Sequence, residues 1–296
     1  MIRALRIARN LIRDRRPAAV IGLGGFASGP VVWAASRQGI PVILLEQNVI
    51  PGRATRWLSR WAKTICLSFD ETIERLAPRY RSRCRVTGNP VRQEIAAMAG
   101  EPKPAGDTVA RQPTLLVLGG SLGSRSLNAL MTAFASESSK ALSGWRIVHQ
   151  AGDEADVVRG RYPATGLDVE VRPFLEDMPA QLRQADLVVG RAGATTLAEI
   201  ACAGLPAVLV PFPQAADDHQ RANAEAYVRG GGALMVLERG ETSQTLAEFR
   251  AAVLPLLEET DRRTAASRAM RSLARPHAAI QVADLLEQTA RPSIEV

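Results

Sequence analysis

The sequence predicts an α/β protein made of two doubly wound domains, each built on a parallel sheet. Three observations carry that expectation. Short apolar runs that end in glycine or polar residues alternate with helical segments along the whole chain. The alternation breaks once, at residues 99–113 (AGEPKPAGDTVARQP), where Gly, Pro and charge gather as in a linker. The length, 296 residues, is one at which chains usually divide into two domains.

The elements follow in order. Residues 2–14 place Leu5, Ala8, Leu11 and Ile12 at three- and four-residue spacing, with Ile7 at the edge of the stripe. Arg3, Arg6, Arg9 and Arg13 fall opposite, so the segment is an amphipathic helix. Such a helix either packs on a sheet with its arginines solvated or touches an anionic membrane; the first is the commoner use of this pattern. AAVIGLGG (18–25) reads as a buried strand and its loop, and SGPVVWAASRQG as a helix closed by Gly39. PVILLEQN (41–48) is a strand, TRWLSRWA a helix, TICLSF a strand, and SRCRVTGNPVR a fourth strand with its loop. After the linker, TLLVLGGS, WRIVHQAG, LDVEVRPF, ADLVVGRAG, PAVLVPFP and ALMVLE read as strands. The helices between them include 124–138, MPAQLRQA, TTLAEIACAG closed by Gly204, and DDHQRANAEAYVRGGG. Two helical segments end the chain. Ligands are expected at the C-terminal ends of the strands.

Composition narrows the class. No apolar stretch approaches the roughly 20 residues needed to cross a bilayer. The basic start lacks a long apolar run and a small-residue cleavage site, so no signal peptide is read. Cys66, Cys84 and Cys202 are widely spaced and odd in number, which argues against a disulfide framework or a zinc site. The formal net charge of +7 favours phosphates, nucleic acid or anionic lipid as partners. Aromatic residues are scarce and no nucleic-acid motif is present, which moves nucleic acid down that list.

Four segments could carry chemistry. Gly119-Gly120-Ser121-Leu122-Gly123-Ser124 joins a strand to a helix. Glycines permit close backbone approach, and a helix start offers free N–H groups to a phosphate or diphosphate; a tight turn would equally require them. Arg191-Ala192-Gly193-Ala194-Thr195-Thr196 repeats the layout, with Glu199 about one turn into the helix. That carboxylate could accept hydrogen bonds from a ribose diol or stabilise its own helix dipole. Gly22-Leu23-Gly24-Gly25 with Glu46 loosely matches a dinucleotide fingerprint, which keeps a nicotinamide-dependent oxidoreductase in view. Asp217-Asp218-His219-Gln220 with Asn223 opens a helix and suits sugar hydroxyls, or is a capped helix start. No spacing suggests a metal site, and no cofactor is expected.

Together these segments resemble the MurG-type glycosyltransferases. The resemblance runs from about Val20 to Gly232. Gly24-Gly25-Phe26-Ala27-Ser28-Gly29-Pro30 is similar to the family's second glycine-rich loop, and Glu46-Gln47-Asn48 to its strand end. Gly88-Asn89-Pro90-Val91-Arg92 resembles its GNPVR, Gly119 to Ser124 its GGSQGA, and Phe174 to Met178 its F-I-x-D-M. Arg191 to Glu199, Gly204-Leu205-Pro206 and Asp217 to Ala224 are similar to its donor segments.

The resemblance implies a GT-B fold with domains at 1–98 and 114–275. A terminal helix and tail, 276–296, would pack back on the N-terminal domain. It implies UDP-N-acetylglucosamine as donor and a lipid-linked muramyl-pentapeptide as acceptor. It places the protein in peptidoglycan synthesis, peripherally at the cytoplasmic face of the inner membrane. Leu175 would lie by the uracil and Glu199 on the ribose. Ser121, Arg92 and the loop glycines Gly119, Gly120 and Gly123 would face the nucleotide and its diphosphate, with Ala194, Thr195 and Thr196 beside them. Asn48, His219 and Gln220 would lie near the sugar, Gly24, Gly25 and Ser28 on the acceptor side, and Glu46 would take the acceptor's proton. The family begins with a strand and a GTGGH loop, whereas this chain starts after them, so an incomplete N-terminal domain with an exposed sheet edge is expected. Leu45 and Leu122 also stand where the family has histidine and glutamine. A nucleotide-sugar-binding fragment without catalysis is the first alternative, and an oxidoreductase the second.

Overall fold

The computed structural model describes residues 2–101, 111–120, 122–164, 166–239 and 242–290. The expected linker falls mostly on 102–110, outside the described residues, as does Ser121. The chain forms two compact units, residues 1–91 with 275–296, and residues 92–274.

The first unit holds four parallel strands in the order β1-β2-β3-β4: Val20–Gly22, Val42–Glu46, Thr64–Leu67 and Cys84–Val86. Ile43 lies opposite Thr64, and Ile65 opposite Cys84. Helices α1 (Ile2–Arg15), α2 (Gly25–Arg37), α3 (Arg53–Leu58) and α4 (Thr72–Arg75) follow the chain between them. Every residue of β2 is buried, as a strand covered on both faces must be. Val42 and Leu44 join Ile65 and Leu67 in a cluster with Ala8, Ile12, Val32 and Leu58. Ile43, Leu45 and Cys66 face the other way, against Val282, Leu285 and Leu286. Those last residues belong to the C-terminal helix 278–290, which packs on β2 and β3.

Two local expectations change. The buried stripe of α1 is narrower than its spacing suggests. Ala8 and Ile12 are buried, while Leu11 is 48% and Ile7 59% exposed. Helix α1 packs mainly on α2, and one neighbouring helix covers only part of an apolar stripe. Helix α2 starts at Gly25 rather than Ser28 and runs through Pro30. Pro30 is the sixth residue of the helix, past the four N–H groups that lack partners, so it leaves the Phe26 carbonyl without its intrahelical donor.

The second unit carries α5 (Gln93–Ala97), β5 (Thr114–Leu118), α6 (Arg125–Glu137), α7 (Ser139–Leu142), β6 (Arg146–Gln150), α8 (Ala155–Arg161) and β7 (Asp168–Arg172). It continues with α9 (Met178–Gln184), β8 (Leu187–Gly190), α10 (Ala194–Ala203), β9 (Ala207–Leu209), α11 (His219–Arg229), β10 (Ala233–Met235), α12 (Thr242–Glu258) and α13 (Thr260–Ser272). The C-terminal helix of the first unit is then α14. The chain ends in three helices rather than two segments, with breaks at Glu259 and near Pro276.

The six-stranded sheet is parallel, in the order β10-β9-β8-β5-β6-β7. Leu115, Val117, Ile147 and Val189 pack against Leu127, Met131 and Phe134 of α6 and Phe249 and Val253 of α12. Phe134 and Phe249 meet edge to face at 5.3 Å. Leu116, Val188 and Leu209, on the alternate face, are also fully buried. Each such side chain contributes roughly 1.5–3 kcal/mol through its removal from water. The chain builds β6 and β7 on one side of β5, then crosses to build β8, β9 and β10 on the other. A crevice therefore opens beyond the C-terminal ends of β5 and β8, the position where doubly wound sheets bind ligands.

Candidate functional site

Two loops leave the sheet at that switch point. The first, 119–124, joins β5 to α6. Gly120 has φ +89° and Gly123 φ +73°. A Cβ on Gly123 would come within 2.4 Å of the Ala151 carbonyl oxygen and 2.7 Å of Gly152 Cα. The loop thus interlocks, backbone on backbone, with the end of β6. Ser124 caps α6, accepting from the Leu127 N–H at 3.4 Å.

The second loop, 191–193, joins β8 to α10. Gly193 precedes α10 with no side-chain cap, and a helix start carries a partial positive charge. Thr195 is exposed, Thr196 partly exposed and Ala194 buried. Asn223 of α11 is fully buried and donates to the Ala192 carbonyl at 3.3 Å, fixing the turn.

Arg191 ties the two loops together. Its guanidinium donates to Ser124 Oγ at 2.7 Å, Ser126 Oγ at 2.7 Å and Glu238 at 3.0 Å. It also donates to the carbonyls of Val210 (2.8 Å) and Pro211 (3.1 Å) beyond β9. Burial lowers the Arg191 pKa, and Glu238 opposes that shift. Arg191 therefore holds the end of the first loop and the start of the second side by side at the switch point.

Arg92 lies 3.6 Å from Glu199 Oε1. Arg92 is about half exposed, while Glu199 is almost buried. Burial raises the Glu199 pKa, and Arg92 pulls against it. Leu175 is buried and its neighbour Phe174 is 54% exposed. Their segment joins the rim of the site, because the Pro173 carbonyl accepts from Gly152 N at 3.1 Å. Helix α11 opens through Asp217 and Asp218, both with positive φ (53° and 55°), a strained conformation for residues other than glycine. His219 Nδ1 lies 2.7 Å from the Ala216 carbonyl oxygen, and Gln220 Oε1 accepts from Phe212 N at 3.0 Å. Both side chains are held by their own turn.

Sequence reasoning gave no role to Gln150, Asn128, Glu238 or the Arg191 side chain. Asn128 links the Ala151 carbonyl (3.0 Å) to His149 Nε2 (3.1 Å), and His149 Nδ1 meets the Tyr162 hydroxyl at 2.8 Å. Because the Asn128 amide donates to Ala151, its oxygen must accept. That assigns the His149 proton to Nε2 and makes Tyr162 the donor to Nδ1. Burial lowers the His149 pKa to about 4. A polar residue closing a strand beside a glycine was the available signal at Gln150.

In the first unit, Gly24 and Gly25 have φ of +77° and +71° and open α2, where Ser28 donates to the Gly24 carbonyl. Phe26 is 98% and Leu23 60% exposed. Glu46 is buried at the end of β2. Its Oε1 accepts from Asn48 N at 3.0 Å and Nδ2 at 3.4 Å, and its Oε2 from Gly52 N at 2.9 Å. The four described strands here run in sequence order with no reversal. Among the described strands of this unit there is no switch point like that of the second unit. Among the described residues, no three His, Cys, Asp or Glu side chains gather as a metal site requires.

Comparison with known proteins finds two family domains in the chain. The glycosyltransferase family 28 C-terminal domain matches residues 114–282, and the family 28 N-terminal domain matches residues 1–67. The UDP-N-acetylglucosamine--N-acetylmuramyl-(pentapeptide) pyrophosphoryl-undecaprenol N-acetylglucosamine transferase of Stutzerimonas stutzeri (strain A1501) is 40% identical over 98% of this chain and 78% of its own length. The protein of the same name from Ectopseudomonas mendocina (strain ymp) is also 40% identical, with the same coverage. The crystal structure of Acinetobacter baumannii MurG superposes with a TM-score of 0.74 at 31% identity, over 95% of this chain and 77% of that one. A putative UDP-N-acetylglucosamine 2-epimerase from Listeria monocytogenes has a TM-score of 0.70 over 97% of this chain and 78% of that one. At 13% identity it is similar in fold alone. With both family domains matched, and relatives at 40% identity spanning nearly all of its length, the chain belongs to glycosyltransferase family 28.

Proposed function

We propose that this glycosyltransferase moves N-acetylglucosamine from UDP-N-acetylglucosamine to the 4-hydroxyl of undecaprenyl-diphosphate-linked N-acetylmuramyl-pentapeptide, with inversion, in peptidoglycan synthesis. The observation that carries this reading is the pair of glycine-turned helix starts, 119–124 and 191–199, joined by Arg191 at one switch point. A diphosphate on those starts meets backbone N–H groups from both and the Arg92 guanidinium. Glu199 accepts from the ribose hydroxyls, the Leu175 segment borders the uracil, Thr195 and Thr196 flank the phosphates, and His219 and Gln220 serve the sugar.

As the acceptor oxygen attacks the anomeric carbon, the departing UDP gains negative charge. Fixed N–H dipoles and Arg92 lower the barrier by stabilising that charge, and removing one such donor typically costs about 2.7–4 kcal/mol. The sequence expectation made Glu46 the proton acceptor. Its geometry supports a different task, because both carboxylate oxygens already accept N–H groups and so brace the loop that carries Asn48. A change of Glu46 to Gln tests this. A brace gives a variant whose residual rate keeps the wild-type pH profile, whereas a base gives one without its acid limb.

The lipid-linked acceptor calls for contact with an anionic membrane surface at the cytoplasmic face. Among the described residues, no helix is long and apolar enough to cross a membrane. Exposed Ile7 and Leu11 on α1 lie among exposed Arg3, Arg6, Arg9 and Arg13, the mixture that holds a helix in an anionic interface. Transfer of labelled sugar from UDP-N-acetylglucosamine to acceptor in anionic vesicles tests the activity. Saturable donor binding with no transfer would reduce the chain to a nucleotide-sugar-binding fragment.

A further inference from the structure

We infer that Gln150 is a positioning residue for the donor diphosphate, acting through the carbonyl of Gly120; this rests on the donor reading above. Gln150 closes β6 directly beside Leu118, the last residue of β5. It is 3% exposed. Its side-chain amide donates to the Gly120 oxygen at 3.0 Å, and the Gly123 N–H donates to the same oxygen at 3.0 Å.

Gly120 needs this hold. It has φ +89°, and no atom lies near the position of its absent Cβ. Gly120 has no side chain of its own to oppose a turn of the peptide that carries its carbonyl. Rotation would present a carbonyl oxygen, a partial negative charge, to a bound diphosphate. With two donors on the Gly120 oxygen, that rotation breaks two hydrogen bonds. Gln150 is itself held in place. Its backbone sits inside the sheet, opposite Leu118 of β5 and Arg172 of β7. The next carbonyl, that of Ala151, takes the Asn128 amide at 3.0 Å. Gln150 therefore selects the anion-accepting form of the loop without touching the ligand.

The test compares UDP with uridine, measured by calorimetric competition, on the full chain. Gln150→Met keeps the volume and removes the donor, so UDP should bind about five- to tenfold more weakly, the size of one lost hydrogen bond. Uridine, which has no phosphate, should bind as before. Gly120→Ala disturbs the same peptide from the other side and should show the same selective loss even if Gln150→Met folds poorly. Equal UDP affinity in Gln150→Met and wild type would overturn the inference, and so would equal losses for UDP and uridine. Wild-type chain that prefers UDP no more than uridine would instead overturn the donor reading on which it rests.

Discussion

The two units treat their glycine loops in opposite ways. In the second unit, the loops at 119–124 and 191–193 are tied by buried side chains: Arg191 to two serines, Gln150 to Gly120, and Asn223 to Ala192. In the first unit, the loop at 22–25 is tied from within its own helix, by Ser28 to the Gly24 carbonyl, and Leu23 and Phe26 stand open to solvent. A small, soluble, highly charged ligand gains from a site already in shape, because no ordering cost is left to meet on binding. A lipid-linked ligand arrives with an apolar surface of its own, for which exposed apolar side chains are the complement.

That contrast sets the expected sizes of perturbations. Removing the Glu238 charge leaves Arg191 buried without its counterion. Glu238→Gln should therefore destabilise the second unit by about 3–5 kcal/mol, read as a lower urea midpoint. A loss under about 1 kcal/mol would mean that the serines and carbonyls suffice.

Next in size, if Glu199 holds the ribose as proposed, Glu199→Ala should weaken UDP by about 3 kcal/mol, roughly 150-fold, the size of two lost hydrogen bonds to a charged group. Its pH dependence has a definite sign. Burial raises the folded pKa of Glu199, so the folded state holds the proton more readily and gains stability as pH falls. UDP needs the ionised form, so its binding weakens over the same fall. Arg92→Met removes the opposing charge and should move that loss of binding to higher pH.

His149 supplies an acid limit. Its folded pKa is lowered to about 4 by burial, against roughly 6.5 in the unfolded chain. The stability it contributes is complete above that unfolded value and is lost as pH falls through about 4. The loss should be on the order of 3 kcal/mol, visible as the difference in urea midpoint between wild type and His149→Asn across that window. The smallest effect belongs to the open unit. Phe26→Ser should change stability by less than about 0.5 kcal/mol yet lower partitioning onto anionic vesicles by about fivefold. A large stability loss there would erase the contrast between the units.

The strands were legible because parallel strands buried on both faces read as continuous apolar runs, as VILLE and TLLVL do. The switch point was not. It depends on which strands become neighbours, and β5 and β8 are separated by four α-helices and two strands in the chain. The glycine loops stood out because close approach demands glycine at Gly123. The residues that hold them did not, since Gln150, Asn128 and Glu238 are ordinary polar residues until the fold sets them beside a backbone carbonyl or a buried arginine. Glu46 was legible as special but not as a brace, because its partners are N–H groups that any residue supplies. Spacing put Leu11 on the apolar stripe of α1, and only the placement of α2 shows that the covered part stops short of it.

A crystal structure of the chain with UDP bound tests the central claim most directly. The account expects the diphosphate over 119–123 and the start of α10, with both ribose hydroxyls on Glu199 and the Gly120 carbonyl still bonded to Gln150. A nucleotide bound elsewhere on the second unit, or phosphates facing the Gly120 oxygen, would contradict it.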